Sequence, residues 1–197
     1  MFILKKCSHE ECESLCLAEE PYCPEHLADP KVVERRILEE LISGKDFRGR
    51  SFSLINFEDT DLSGKNFENC SFSHCSFNRV DFSGTRFNLT FFDFCDIEET
   101  IFKGCDLTNT VFAGARINKT IYKGSEIVNC NFNGSEILNS DFSDSDLYLS
   151  RFVNSNLAKL DFVDCNLKRT DFSGSDRKQI KFKYSNIEEA LFKGEDR

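Results

Sequence analysis

The chain has 197 residues, with 25 Lys and Arg against 34 Asp and Glu, for a formal charge of −9. That length suits one domain with a small appendage, and the acidic balance argues against a basic duplex-binding surface. No run of 18 apolar residues is present to span a membrane, and the apolar start before Cys7 is too short for a signal peptide, so a cytoplasmic protein is expected.

Residues 1–28 read as a small Cys/His-rich segment. Four of the ten cysteines, Cys7, Cys12, Cys16 and Cys23, crowd into this segment beside His9 and His26. The spacing Cys7-x4-Cys12-x10-Cys23-x2-His26 has the look of a zinc knuckle, because zinc takes four thiolate or imidazole ligands in a tetrahedron and close pairs supply them. Cys7, Cys12, Cys23 and His26 are the expected ligands of a structural zinc, with Cys16 and His9 as spare candidates. A reduced, metal-free Cys-rich loop is the competing reading. So few apolar residues favour the metal, since such a segment could hardly fold without it. Residues 1–43 carry 5 basic and 10 acidic side chains, which argues against direct nucleic-acid binding by this segment.

Residues 29–44 read as a helix. Asp29-Pro30 supplies an N-cap and first-turn proline, Gly44 follows the last turn, and Val33, Ile37, Leu38, Leu41 and Ile42 recur at helical spacing. Its expected place is over the N-terminal end of whatever follows.

From Phe47 to Phe192, the positions ending in 2 or 7 are apolar in 29 cases of 30, Arg177 being the exception. Eighteen of the 21 Phe lie in that series. Positions ending in 0 or 5 are mostly small, as at Cys70, Thr85, Thr110, Ser125 and Cys130, and all six remaining cysteines sit there. Nine glycines of this region fall on positions ending in 4 or 9. A period of five fits neither the helical 3.6 nor the strand period of 2. It fits a chain that turns a corner every five residues, with one large and one small side chain inward and glycine at the corner where φ is positive.

Thr60-Asp61-Leu62-Ser63-Gly64 and Ser140-Asp141-Phe142-Ser143-Asp144 resemble the pentapeptide-repeat pattern of small, Asp/Asn, Leu/Phe, polar, any. The resemblance covers about residues 45–194 and implies an all-β fold, a right-handed quadrilateral β-helix with four repeats per coil. Residues 45–197 would form this solenoid behind the capping helix. The implied 20-residue period places Phe52, Phe72, Phe92, Phe112, Phe132, Phe152, Phe172 and Phe192 in one all-Phe column. Solenoid ends expose edges. An uncapped last coil is therefore a candidate homodimer contact, as in some family members, and Arg177 suggests local loosening there.

No catalytic constellation stands out. His74, the one His beyond residue 26, is expected at an exposed corner, and no base is placed to activate the many Ser and Thr. Two surfaces are candidates for partner binding. Leu89, Phe91, Phe94 and Val111 would form an apolar patch in mid-rod, with Ile101 and Ile121 a smaller pair elsewhere. Asp141, Asp144, Asp161 and Asp164 would cluster on adjacent coils, where a solvated acidic face is the plainer reading. Together these features suggest a non-enzymatic scaffold or protein-interaction module. The alternative implied by the resemblance is DNA mimicry directed at DNA gyrase, as in quinolone-resistance pentapeptide proteins. Lys103, Lys123, Lys181 and Lys183 interrupt the acidic columns such a mimic needs.

Overall fold

The computed structural model describes residues 5–193. Helix α1 (Pro30–Ser43) precedes seven three-residue strands: β1 (Asn56–Glu58), β2 (Ser76–Asn78), β3 (Asp96–Glu98), β4 (Arg116–Asn118), β5 (Glu136–Leu138), β6 (Asn156–Ala158) and β7 (Asp176–Lys178). The strands form one parallel sheet in chain order, each paired with its successor one coil later, as in Phe57↔Phe77 and Ile97↔Ile117. Three further faces carry bridges at the same spacing, such as Asp46↔Asn66, Ser51↔Ser71 and Asp61↔Asp81. The chain is thus a four-sided parallel β-solenoid in which each five-residue repeat makes one side.

The inward column explains the period. Phe92, Phe112 and Phe132 are fully buried and stack with centroids 5.0 and 4.8 Å apart and planes within 6°. The opposite ladder meets this one edge-on, Phe112 lying 6.0 Å from Tyr122 at 89°. Both geometries suit the aromatic quadrupole. Tyr122 sits between Phe102 and Phe142, and its buried hydroxyl has no hydrogen-bond partner among the described residues.

The small column does more than save space. Many of its polar hydrogens reach back 23 residues to the carbonyl of an inward residue: Thr110 Oγ1 to Phe87 O at 2.8 Å, Cys130 Sγ to Leu107 O at 2.7 Å, Ser155 Oγ to Phe132 O at 2.8 Å. Those carbonyls also accept a turn bond, such as Thr110 N–H to Leu107 O at 3.0 Å. Cys, Thr and Ser share a short side chain with one donor, which is why they interchange here.

The corners differ from the expectation that glycine supplies them. Leu54, His74 and Phe94 take φ of +67°, +61° and +56°, as do other non-glycine corners along the rod. The left-handed conformation costs each L-residue roughly 1 kcal/mol, and the coil's hydrogen bonds impose it nonetheless. Glycine is needed where space fails. At Gly114 a Cβ would lie 2.7 Å from the Phe94 ring.

Helix α1 packs against the first coil, and its N-cap forms as the sequence suggests. The Asp29 carboxylate accepts from Lys31 and Val32 N–H at 3.1 and 3.2 Å. Ile37 and Leu41 are buried in the same cluster as Phe47 and Phe52. Ile42, expected on that stripe, is instead 59% exposed, since the helix has rotated away between Ile37 and Ile42. Gly44 is not left-handed (φ −89°); a Cβ there would meet the Phe47 ring at 2.5 Å. Lys65 Nζ donates to the otherwise orphaned Ile42 and Gly44 carbonyls at 3.1 and 2.7 Å.

At the far end Arg177 occupies the inward position of β7 and is half-buried, more engaged than local loosening implies. Its Nη1 donates to Phe172 O at 3.1 Å, and its guanidinium lies 4.9 Å from the Phe192 ring centroid. Beyond it Phe182 and Phe192 still stack on Phe162 and Phe172, while a short 3-10 turn (Ile187–Glu189) leaves Ile187 and Leu191 exposed. Residues 194–197 of the tail lie outside the described residues, as do residues 1–4.

Candidate metal centre and interaction surfaces

The Cys/His segment folds back on itself before it reaches the rod. Lys6 pairs antiparallel with Leu15, Cys7 N–H donates to Ser14 O, and Ser8 N–H donates to Pro21 O, both at 2.9 Å. A turn brings Cys12 N–H to His9 O at 3.1 Å, and another brings His26 N–H to Cys23 O at 3.0 Å. These turns gather Cys7, Cys12, Cys23 and His26, whose ligand atoms all lie within 4.8 Å of one another.

The distances suit a tetrahedral ion. Zinc bonds of about 2.3 Å to sulfur and 2.0–2.1 Å to nitrogen imply S···S near ~3.8 Å and S···N near ~3.6 Å. Cys12 and Cys23 Sγ are 3.9 Å apart, and His26 Nδ1 is 3.4 Å from both Cys7 and Cys23 Sγ. Burial pushes the Cys7 thiol up, but backbone N–H groups of Cys23 and His9 and the His26 and Cys23 side chains outweigh it, lowering its pKa to about 6. A thiolate at neutral pH is the form a metal binds. Burial raises the Cys23 thiol instead, with its Cys7 and Cys12 neighbours adding to the shift. Of the spare candidates, His9 stacks on His26 with centroids 3.8 Å apart, and Cys16 is buried; neither joins the cluster.

The repeat cysteines form the contrast. Burial pushes Cys70 and Cys165 up to about 11 and Cys105 and Cys130 up to about 12. They are core donors rather than reactive thiols.

In mid-rod, Phe94 and Leu89 are 60% and 48% exposed, on the two corners flanking one face. Phe91 and Val111 lie between, bridged one coil apart and partly buried. Phe94 also covers Gly114 and stacks on the exposed His74, 5.2 Å between centroids. Part of its surface therefore goes to bracing the corner column. Ile101 and Ile121 bridge in the same way on another face, Ile121 being 38% exposed.

Asp141 and Asp161 are brought together by a bridge, with Asp144 and Asp164 on the adjoining corners at φ of +60° and +54°. Lysines intervene, as the sequence suggested. Lys181 Nζ lies 2.9 Å from Asp161, and Lys123 Nζ lies 3.1 Å from Asp144. A longer acidic column escaped the sequence reading. Asp106, Glu126 and Asp146 stack at consecutive bridges on the neighbouring face. The coil period would have found it had the outward positions been aligned as the inward ones were.

Comparison with known proteins agrees with this geometry. The family described as "Pentapeptide repeat region" matches residues 115–192, and "Pentapeptide repeats (8 copies)" matches residues 51–88 and 92–121. No curated protein matches the chain. Among solved structures, a trypsin-treated form of QnrB1, a plasmid-mediated fluoroquinolone resistance protein, is 16% identical, with 78% of this chain and 84% of that one covered at a TM-score of 0.45. HetL, a pentapeptide repeat protein involved in heterocyst differentiation regulation in the cyanobacterium Nostoc sp. strain PCC 7120, is 15% identical over 78% of this chain and 94% of that one, at 0.31. Rfr23 from the cyanobacterium Cyanothece 51142 is 12% identical over 80% and 98%, at 0.34.

Proposed function

Because the chain belongs to the pentapeptide-repeat family, we propose that it is a non-enzymatic scaffold, a stiff cytoplasmic rod that presents one surface to a protein partner. The observation that carries this reading is the concentration of exposed apolar surface at Leu89 and Phe94 on an otherwise mostly polar mid-rod. Ten free thiols suit a reducing compartment. A photo-crosslinking residue at position 94 should capture one protein reproducibly in the native cell, while the same residue at position 156 on another face should not. Identical capture patterns from both positions would sink the proposal.

The Cys7, Cys12, Cys23 and His26 cluster is proposed as a structural zinc site, supported by its interatomic distances and donor set. Bound zinc would cross-link the segment; all four positions are filled by protein, leaving none for substrate. Protein purified without chelator should carry about one zinc per chain. A Cys12→Ser, Cys23→Ser double variant that retains the same zinc content would refute the assignment.

A second reading, gyrase-directed DNA mimicry, gains one observation, the Asp106–Glu126–Asp146 column. It predicts inhibition of gyrase supercoiling at low protein concentration, lost when these three become Asn, Gln and Asn. No inhibition at any concentration would exclude it.

A further inference from the structure

We infer that the metal site holds a surrogate coil face against the open N-terminal edge of the rod, so that metal occupancy sets whether this edge is sealed. The inference rests on the zinc reading above. Stacked coils satisfy one another by a fixed pattern. A corner N–H donates to an outward carbonyl of the next coil, as Leu54 does to Ser73 O at 3.3 Å and His74 to Asp93 O at 3.0 Å. The next coil sends an N–H back, as Ser71 does to Arg50 O and Phe91 to Cys70 O, both at 3.0 Å. In the first coil, Ser53 O and Ser51 N–H face outward along the rod with no earlier coil to meet.

The Cys/His segment meets both. Ala18 N–H donates to Ser53 O at 2.8 Å, and the Glu19 carboxylate accepts from Ser51 N–H at 3.2 Å. Ala18 also takes the corner conformation, φ +48°, beside +67° at Leu54 and +61° at His74 in the column it extends. Leu17 is fully buried and belongs to the same apolar cluster as Phe52. Leu17, Ala18 and Glu19 therefore stand where a preceding coil would place its corner.

These three residues form the apex of a loop whose ends are Cys12 and Cys23, with sulfurs 3.9 Å apart. Closing those ends through a metal removes most of the loop's freedom to leave the edge. The polar side-chain restraints on the apex are weaker. Arg50 bridges Glu19 and Glu40, and Arg36 pairs with Glu20, all at partly or largely exposed sites where ion pairs contribute little. An uncovered parallel edge invites unwanted pairing, so its closure has a consequence for the whole rod.

The test is amide hydrogen exchange on the full chain, with zinc and after chelation, with zinc content measured on the same samples. Ser51 and Ala18 amides should exchange at least about tenfold faster after chelation, while Phe112 and Phe132 amides stay unchanged. Ala18→Pro cannot adopt the left-handed corner conformation and lacks the donor, yet touches no ligand. It should keep its zinc and show the fast Ser51 exchange of the chelated protein. Equal Ser51 protection with and without zinc, in protein that binds one zinc per chain, would overturn the coupling and leave the metal site standing. Protein that binds no zinc would overturn both.

Discussion

The rod and the segment in front of it solve the same problem by different means. In the rod, each coil is the template for the next: an inward aromatic stacks on its counterpart one coil away, and a short polar side chain ties back to the carbonyl beside it. Order there comes from burial and repetition. The Cys/His segment buries Leu17 and little else that is large and apolar, and its turns converge on four ligand atoms instead. The same residue type serves both regions with opposite chemistry. Cys130 is a buried neutral donor pushed up to about 12, whereas Cys7 is lowered to about 6 by the donors around it. A cysteine's role follows from the fields around it and not from its presence in the count.

The sharpest way to break this contrast is in the ladder. Phe112→Ala should cost about 3–5 kcal/mol in chemical denaturation, because neighbouring coils are fixed by their own stacks and cannot collapse onto the space. A loss under about 1 kcal/mol would mean that the coils relax independently and that the rod is less templated than its stacking suggests. Gly44→Ala addresses the junction between the two regions. Its backbone tolerates alanine, so the expected loss of about 1–3 kcal/mol arises from the Phe47 ring. Combining it with Phe47→Leu should recover part of the loss, and a strictly additive double variant would show that the ring is not the cause.

Much of the rod was legible because its signal repeats. Thirty positions in one register leave little room for another fold, and the 20-residue period foretold the all-Phe column. The gathering of Cys7, Cys12, Cys23 and His26 into one cluster was legible for a different reason: ligand spacing is a local constraint written in a few residues. What sequence could not reveal depends on relations between coils. The reach from Thr110 to the Phe87 carbonyl spans 23 residues, a spacing with meaning only once the coil exists. The left-handed corners at Leu54 and Phe94 are imposed by the hydrogen bonds their N–H groups donate to carbonyls of the next coil, against local preference. Ala18 as a surrogate corner, and Lys65 reaching the end of α1, are contacts between elements that carry no repeat signature.

Tyr122→Phe tests the rod's interior with the sign reversed. The tyrosine hydroxyl is buried without a partner among the described residues, so its removal should raise stability by about 1–2 kcal/mol with the ladder unchanged. A loss on that substitution would reveal a bound water or partner at the hydroxyl, and with it a polar point inside the rod.

The smallest expected effect separates the two kinds of cysteine most directly. Cys130→Ser keeps a short side chain and a donor to Leu107 O, as Ser150 already provides one coil later to Ile127 O. It should change stability by less than about 1 kcal/mol. Cys23→Ser is the same atom exchange at a position of the proposed zinc site. A serine hydroxyl is neither thiolate nor a good zinc ligand at neutral pH, so this variant should lose its metal while the Phe112 amide stays protected. If instead Cys130→Ser proved the more damaging of the two, the repeat thiols would be more than interchangeable donors. The division between a self-templating rod and a segment gathered around the Cys7, Cys12, Cys23 and His26 cluster would then have to be redrawn.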